Sequence, residues 1–217
     1  MRLLLILSLV IAGHAARAAC DTPICLVDPD GLDLPLVITF EEIRSGHGPG
    51  HPIPDVLVTD GARFGERFAG QMLSANGDHD AVTGTVLPPL TVLPGAEGQN
   101  LSVVYLKGNK ILNGYGVAGY PKRHAQGEGA IAFLFDSDQS ALSFELRGGE
   151  DGAAIAVFYQ RTGQEIMALE LPPAGEHAFG FLRATGEADI AGVLITNTDP
   201  QGLALDNIRF GKPPDLS

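Results

Sequence analysis

The chain has 217 residues, carries 26 acidic against 14 basic side chains, and has a formal net charge of -12. So acidic a chain excludes nucleic acid and anionic lipid as partners, because both are held by cationic side chains. The length suffices for one domain with a sizeable core, and the absence of tryptophan removes the largest ring for stacking on a sugar.

Residues 1–18 read as a signal peptide. Arg2 supplies the positive start, Leu3–Ala12 is an apolar run too short to span a bilayer, and Ala16-Arg17-Ala18 fits the small-x-small cleavage rule. The mature chain is expected to begin at Ala19. The competing lipoprotein reading, with Cys20 acylated, wants an aliphatic residue where Arg17 stands. Residues 19–33 form an N-terminal arm holding the only two cysteines, Cys20 and Cys25, and export permits a disulfide between them. Such a small loop stiffens the arm without holding the domain together. No later segment is long and apolar enough to be a membrane helix, so a periplasmic or extracellular location is expected.

From residue 34 to 211 the signals are those of one β-domain, with 212–217 as a short tail. Leu36–Ile43 (LVITFEEI) reads as its first strand, ending in Glu41 and Glu42; Ser45–Pro54 is a glycine/proline loop. Ala62–Leu73 (ARFGERFAGQML) reads as a strand or a broken helix, with Gly65 and Gly70 against the helix. Ser74–Gln99 reads as a long irregular connection, a length that usually marks function or poor order. Leu101–Leu106 and Gly129–Phe135 are apolar strands, and Leu142–Arg147 alternates cleanly. Ala153–Gln160 and Glu165–Leu171 flank Arg161-Thr162-Gly163, a glycine turn suited to a hairpin. His177–Leu182, Ile190–Asn197 and Leu203–Phe210 follow. Short strands separated by turn residues predict an all-β antiparallel sandwich rather than βαβ units.

In Leu203–Phe210 the alternation places Asp206 on one face with Ile208 and Phe210, the apolar pair expected in the core. An ionised carboxylate there is costly unless hydrogen bonds or a cation compensate it. The expectation is therefore that the strand carrying Glu41 and Glu42 meets the last strand, and that these acids share one cation with Asp206.

The ordered set VITFEE (Val37–Glu42), GARFGERFAG (Gly61–Gly70), VFYQRTGQEI (Val157–Ile166), ITNTD (Ile195–Asp199) and ALDNIRF (Ala204–Phe210) resembles exported β-sandwich proteins of the PEP-CTERM type. More loosely, it resembles the galactose-binding-like jelly rolls of carbohydrate-binding modules. The resemblance implies a structural calcium between a glutamate on the first strand and an aspartate on the last, here Glu41 or Glu42 and Asp206, completed by main-chain oxygens. The ending GKPPDLS lacks the Pro-Glu-Pro motif, apolar helix and basic cluster of the sorted family, so sorting by that route is not expected.

Other constellations compete. His47 and His51 could ligate a transition metal with His79 and Asp78 or Asp80, although histidines in glycine loops are commonly solvated turn residues. Tyr105, Tyr115, Tyr120 and Lys122–His124 could line a sugar groove. Glycoside hydrolysis would need two carboxylates facing one cleft, and Asp136 with Glu145 is the available pair. A lyase built on Tyr159 and His177 is conceivable, and no G-x-S-x-G elbow is present. The reading that fits best is an exported, non-catalytic binding or structural module, calcium-stabilised, with an extracellular or periplasmic glycan as candidate partner. The alternative is a secreted glycosidase or lyase on the same sandwich.

Overall fold

Ala141–Gly148 shows how the chain builds its layers. Leu142, Phe144 and Leu146 are buried in the main core, while Glu145 and Arg147 are half-buried on the other side, as a period of two requires. This strand lies between Gly175–Arg183 and Leu203–Phe210, in a sheet that runs Ile24–Val27, Gly175–Arg183, Ala141–Gly148, Leu203–Phe210, Asn109–Gly114, Leu101–Leu106, His51–Ile53. Leu36–Ile38 adds an eighth strand, also on Leu203–Phe210. Facing it is a sheet of six, in the order Glu165–Leu171, Ala154–Tyr159, Ile190–Asn197, Ile131–Gln139, Ala62–Gly65, Leu57–Thr59. All pairings within both sheets are antiparallel, so the protein is an all-β sandwich. This computed structural model describes residues 20–173 and 175–211. The signal peptide read at 1–18, its cleavage before Ala19, and the tail 212–217 lie outside the described residues.

The core between the sheets is aromatic. Phe133, fully buried, touches Phe64, Phe135 and Phe144 at ring-centroid distances of 5.8, 5.4 and 6.2 Å, mostly edge to face. The six-stranded sheet is apolar on its outer face as well. Ala132, Leu134, Tyr159, Ala191 and Leu194 pack there against Phe68, Val86, Leu90 and Val92. Of the covering residues, Val86, Leu90 and Val92 belong to Ser74–Gln99, expected to be a long irregular connection, and Phe68 to Ala62–Leu73 before it. Together the two segments contain a short ladder, Arg67–Phe68 with Val92–Leu93, and a hairpin, Met72–Asn76 with His79–Thr83. They are ordered because they bury apolar surface on a sheet that would otherwise expose it.

Two sequence readings of the strands need correction. The strand read as Leu36–Ile43 ends at Ile38; Glu41 and Glu42 lie in a turn that Ile43 N–H closes by donating to Phe40 O at 3.0 Å. It does meet the last strand, Ile38 opposite Ile208. Asp206, however, does not share a face with Ile208 and Phe210. Leu203, Leu205, Ile208 and Phe210 enter the core, and Ala204 belongs to a separate outer cluster with Val104 and Ile111. The cause is a β-bulge: Glu145 pairs with Asp206 but Ser143 pairs with Arg209, so the last strand spends one residue more than its partner. Asn207 takes up the extra residue with φ 44°, a left-handed conformation that asparagine tolerates better than most residues.

The N-terminal arm is tied down. Cys20 and Cys25 form a disulfide, and Ile24–Val27 pairs with Gly175–Arg183 at the sheet edge. Arg183 donates to Pro23 O at 3.0 Å and grips Asp189 through Nε at 2.7 Å and Nη2 at 3.1 Å.

Candidate functional site

Three places bring polar chemistry together. The first is the joint between the first domain strand and the last, where the calcium was expected. Glu41 and Asp206 both reach the start of Asn109–Gly114: Lys110 N–H donates to Glu41 Oε1 at 2.8 Å, and Asn109 Nδ2 donates to Asp206 Oδ2 at 2.8 Å. The other oxygen of Asp206 accepts the N–H of Asn207 at 2.8 Å, which the bulge turns toward it. Burial raises the Asp206 carboxyl above the usual carboxylate range, and the bonds from Asn109 and Asn207 pull it back. The Lys110 ammonium sits on the main-chain oxygens of Glu41 and Ile43, the latter at 3.0 Å. Glu42 is exposed. As these groups stand, the donor set does not fit a calcium shell: the carbonyls hold an ammonium, and both Asp206 oxygens hold N–H groups. Lys110→Ala is therefore expected to lower stability by about 1–2 kcal/mol, the worth of charge-assisted hydrogen bonds, in a urea melt run with chelator. A calcium-induced rise in melting temperature that Asp206→Ala alone abolishes would instead give this joint to the ion.

The second place is a cleft of about 470 Å³ lined by Pro52, Ile53, Glu97, Asn100, Tyr115 and Tyr120. Tyr120 is 39 % exposed and stands edge-on to Tyr115 at 5.7 Å. Tyr115 is buried and donates its hydroxyl to Pro49 O at 2.6 Å, which fixes the back wall. Asn100 is held by three bonds, from its Nδ2 to Ile53 O and Asp55 O and to its Oδ1 from Gly95 N–H. Tyr105 lies apart, edge-on to His47, and Arg123 donates to Gly48 O, so neither completes the sugar groove read from the sequence. A larger groove, about 630 Å³, runs between Leu26–Asp30 and Glu176–Phe179 but offers no exposed tyrosine or phenylalanine ring.

The third place was missed from the sequence. Glu66 lies in the turn between Ala62–Gly65 and Arg67–Phe68 and is fully buried. Its N–H donates to Leu93 O, yet neither carboxyl oxygen accepts an N–H or O–H from the protein. It meets the carboxyl of Asp80, which is also buried and accepts the N–H of Ala130 at 3.1 Å. Loss of hydration, then the second carboxyl, pushes Glu66 up to about 11; burial likewise raises Asp80. The sequence offers only a slight signal, an acid standing two residues from both Phe64 and Phe68.

The remaining sequence candidates are scattered. His79 donates Nε2–H to Asp199 O at 2.9 Å and His47 packs on Tyr105; among the described residues no three of His, Cys, Asp and Glu converge on a metal position. Asp136 and Glu145 stand on different sheets, one paired with Arg63 and the other bonded by Asn207. Tyr159 accepts from Gln71 beneath the outer layer, whereas His177 is on the eight-stranded sheet. No protein-family model matches the chain, and no curated protein matches it either. Among the described residues no helix is long and apolar enough to cross a membrane.

Proposed function

We propose that the protein is an exported, non-catalytic binding module that takes a glycan at the Tyr115–Tyr120 cleft. The observation carrying this reading is the exposed Tyr120 ring, braced edge-on by the buried Tyr115, beside Glu97 in a cleft large enough for a small ligand. An exposed ring offers its face to the apolar side of a sugar, and the Glu97 carboxylate can accept from hydroxyls. Export is supported by the Cys20–Cys25 disulfide, which persists in an oxidising compartment, and by the character of residues 1–18. Calcium is not assigned to Glu41, Glu42 and Asp206 in this reading; Lys110 holds that joint.

A glycan array identifies the ligand, and titration calorimetry measures Tyr120→Ala against the wild type. Loss of the stacking face should weaken binding about tenfold, equivalent to about 1.4 kcal/mol, while the melting temperature holds. Glycan binding unchanged by Tyr120→Ala would move the site elsewhere. Turnover of the same glycan in a hydrolase and lyase panel would replace the module by the enzyme.

A further inference from the structure

The outer layer of the six-stranded sheet is held at one end by an arrangement that protein groups alone leave incomplete. Glu66 brings two buried oxygens with no N–H or O–H donor to the carboxyl of Asp80, within hydrogen-bond reach. Two ionised carboxylates cannot stay together out of water without positive charge between them. A third oxygen is at hand. Gln99 O and Glu66 Oε2 both lie against the α-carbon of Gly95, and any β-carbon there would overlap the carboxyl of Glu66. Glycine at 95 is thus what lets the main chain approach Glu66.

We propose that Glu66, Asp80 and the Gln99 carbonyl bind a hard divalent cation, calcium in preference to zinc or magnesium. The donor set is all oxygen, and the nearby His79 has its Nε2 engaged with Asp199 O, which disfavours zinc. Ligand oxygens at calcium distances sit roughly 3–3.7 Å from one another around the ion, the same range as a hydrogen-bonded carboxyl pair. Calcium tolerates an irregular shell of about six to eight oxygens that water can complete, whereas magnesium demands a near-ideal octahedron and gives up its own waters reluctantly. Two carboxylates balance the two charges of the ion. The site would also fasten the outer layer to the sandwich, since Asp80 N–H donates to Glu128 O and its carboxylate accepts from Ala130, just before Ile131–Gln139.

The test is titration calorimetry and thermal melting of the chelator-stripped mature protein with CaCl2, MgCl2 and ZnCl2 in turn. Calcium should bind one ion per chain and raise the melting temperature, with magnesium and zinc at least tenfold weaker. Glu66→Gln keeps the shape and places an amide against Asp80, so it should fold and lose calcium affinity at least tenfold. Asp206→Asn, at the other joint, should leave calcium binding unchanged. An unfolded Glu66→Gln is replaced by Asp80→Asn for the same comparison. Wild-type protein that takes up no calcium, or calcium binding that survives both Glu66→Gln and Asp80→Asn, overturns the site and leaves a proton shared between the two acids.

Discussion

Phe133→Ala should cost about 3–5 kcal/mol, the range for emptying a fully buried aromatic site. Phe133 stands where both sheets deliver rings, Phe64 and Phe135 from its own sheet and Phe144 from the facing one. These neighbours are themselves locked by pairing on both sides of the sandwich, so they cannot collapse far into the space. Urea denaturation followed by far-ultraviolet circular dichroism measures the effect as a lower midpoint at unchanged slope. Val58→Ala, on an edge strand and 62 % exposed, is the control and should stay within about 0.5 kcal/mol. A loss below about 1 kcal/mol for Phe133→Ala would mean that the ring is not central to the core.

The second large effect is expected at Arg183–Asp189. The guanidinium bonds Asp189 through two nitrogens, Gln160 Nε2 adds a bond at 2.8 Å, and both charged side chains are mostly buried. The hydrogen bonds from Arg183, the largest influence, hold the Asp189 carboxyl below its ordinary range despite the opposing loss of hydration. Asp189→Ala leaves Arg183 without its counter-charge and should cost about 2–3 kcal/mol, less than a fully buried pair because water reaches both groups. The pH dependence has a definite sign. An acid whose folded pKa is depressed stabilises the fold above its unfolded value, about 3.9, and that contribution disappears as pH falls through the folded value. The stability difference between wild type and Asp189→Asn should therefore be flat from pH 7 to about 5 and shrink below about 4. Chemical denaturation across that range checks it. A difference that grows on acidification would show that Asp189 is not the depressed acid.

The sandwich was legible because its strands differ in a physically readable way. Leu142–Arg147 alternates because only one of its faces joins the main core. Ile131–Phe135 and Ile190–Ile195 are apolar throughout because the core covers one face and the outer layer the other. Those runs announced buried strands but not what covered the second face, since the covering residues, Phe68 to Val92, are interrupted by glycine and proline and lack a sustained period. That the first and last strands meet was legible from the carboxylates near their ends, although Glu41 and Glu42 lie in the turn after Ile38. Lys110 was not, because its role depends on a hairpin turn folding back over Glu41 and Ile43. Glu66 and Asp80 escaped notice for a related reason: a hairpin and two tight turns bring together residues whose spacing matches no compact motif.

The extra residue in the last strand has an evolutionary side. Because Leu205 and Ile208 both enter the core across Asp206 and Asn207, the strand's two halves are out of phase. Losing one residue there would swing either half's apolar side chains toward solvent, as any one-residue slip does in a sheet with one buried face. Replacing side chains at this point alters a bond or two, while changing the residue count between 205 and 208 rewrites which half of the strand belongs to the interior. Among descendants of this chain, the residue count here is thus held more tightly than the identity of Asp206, while position 207 is limited to residues that accept its left-handed backbone.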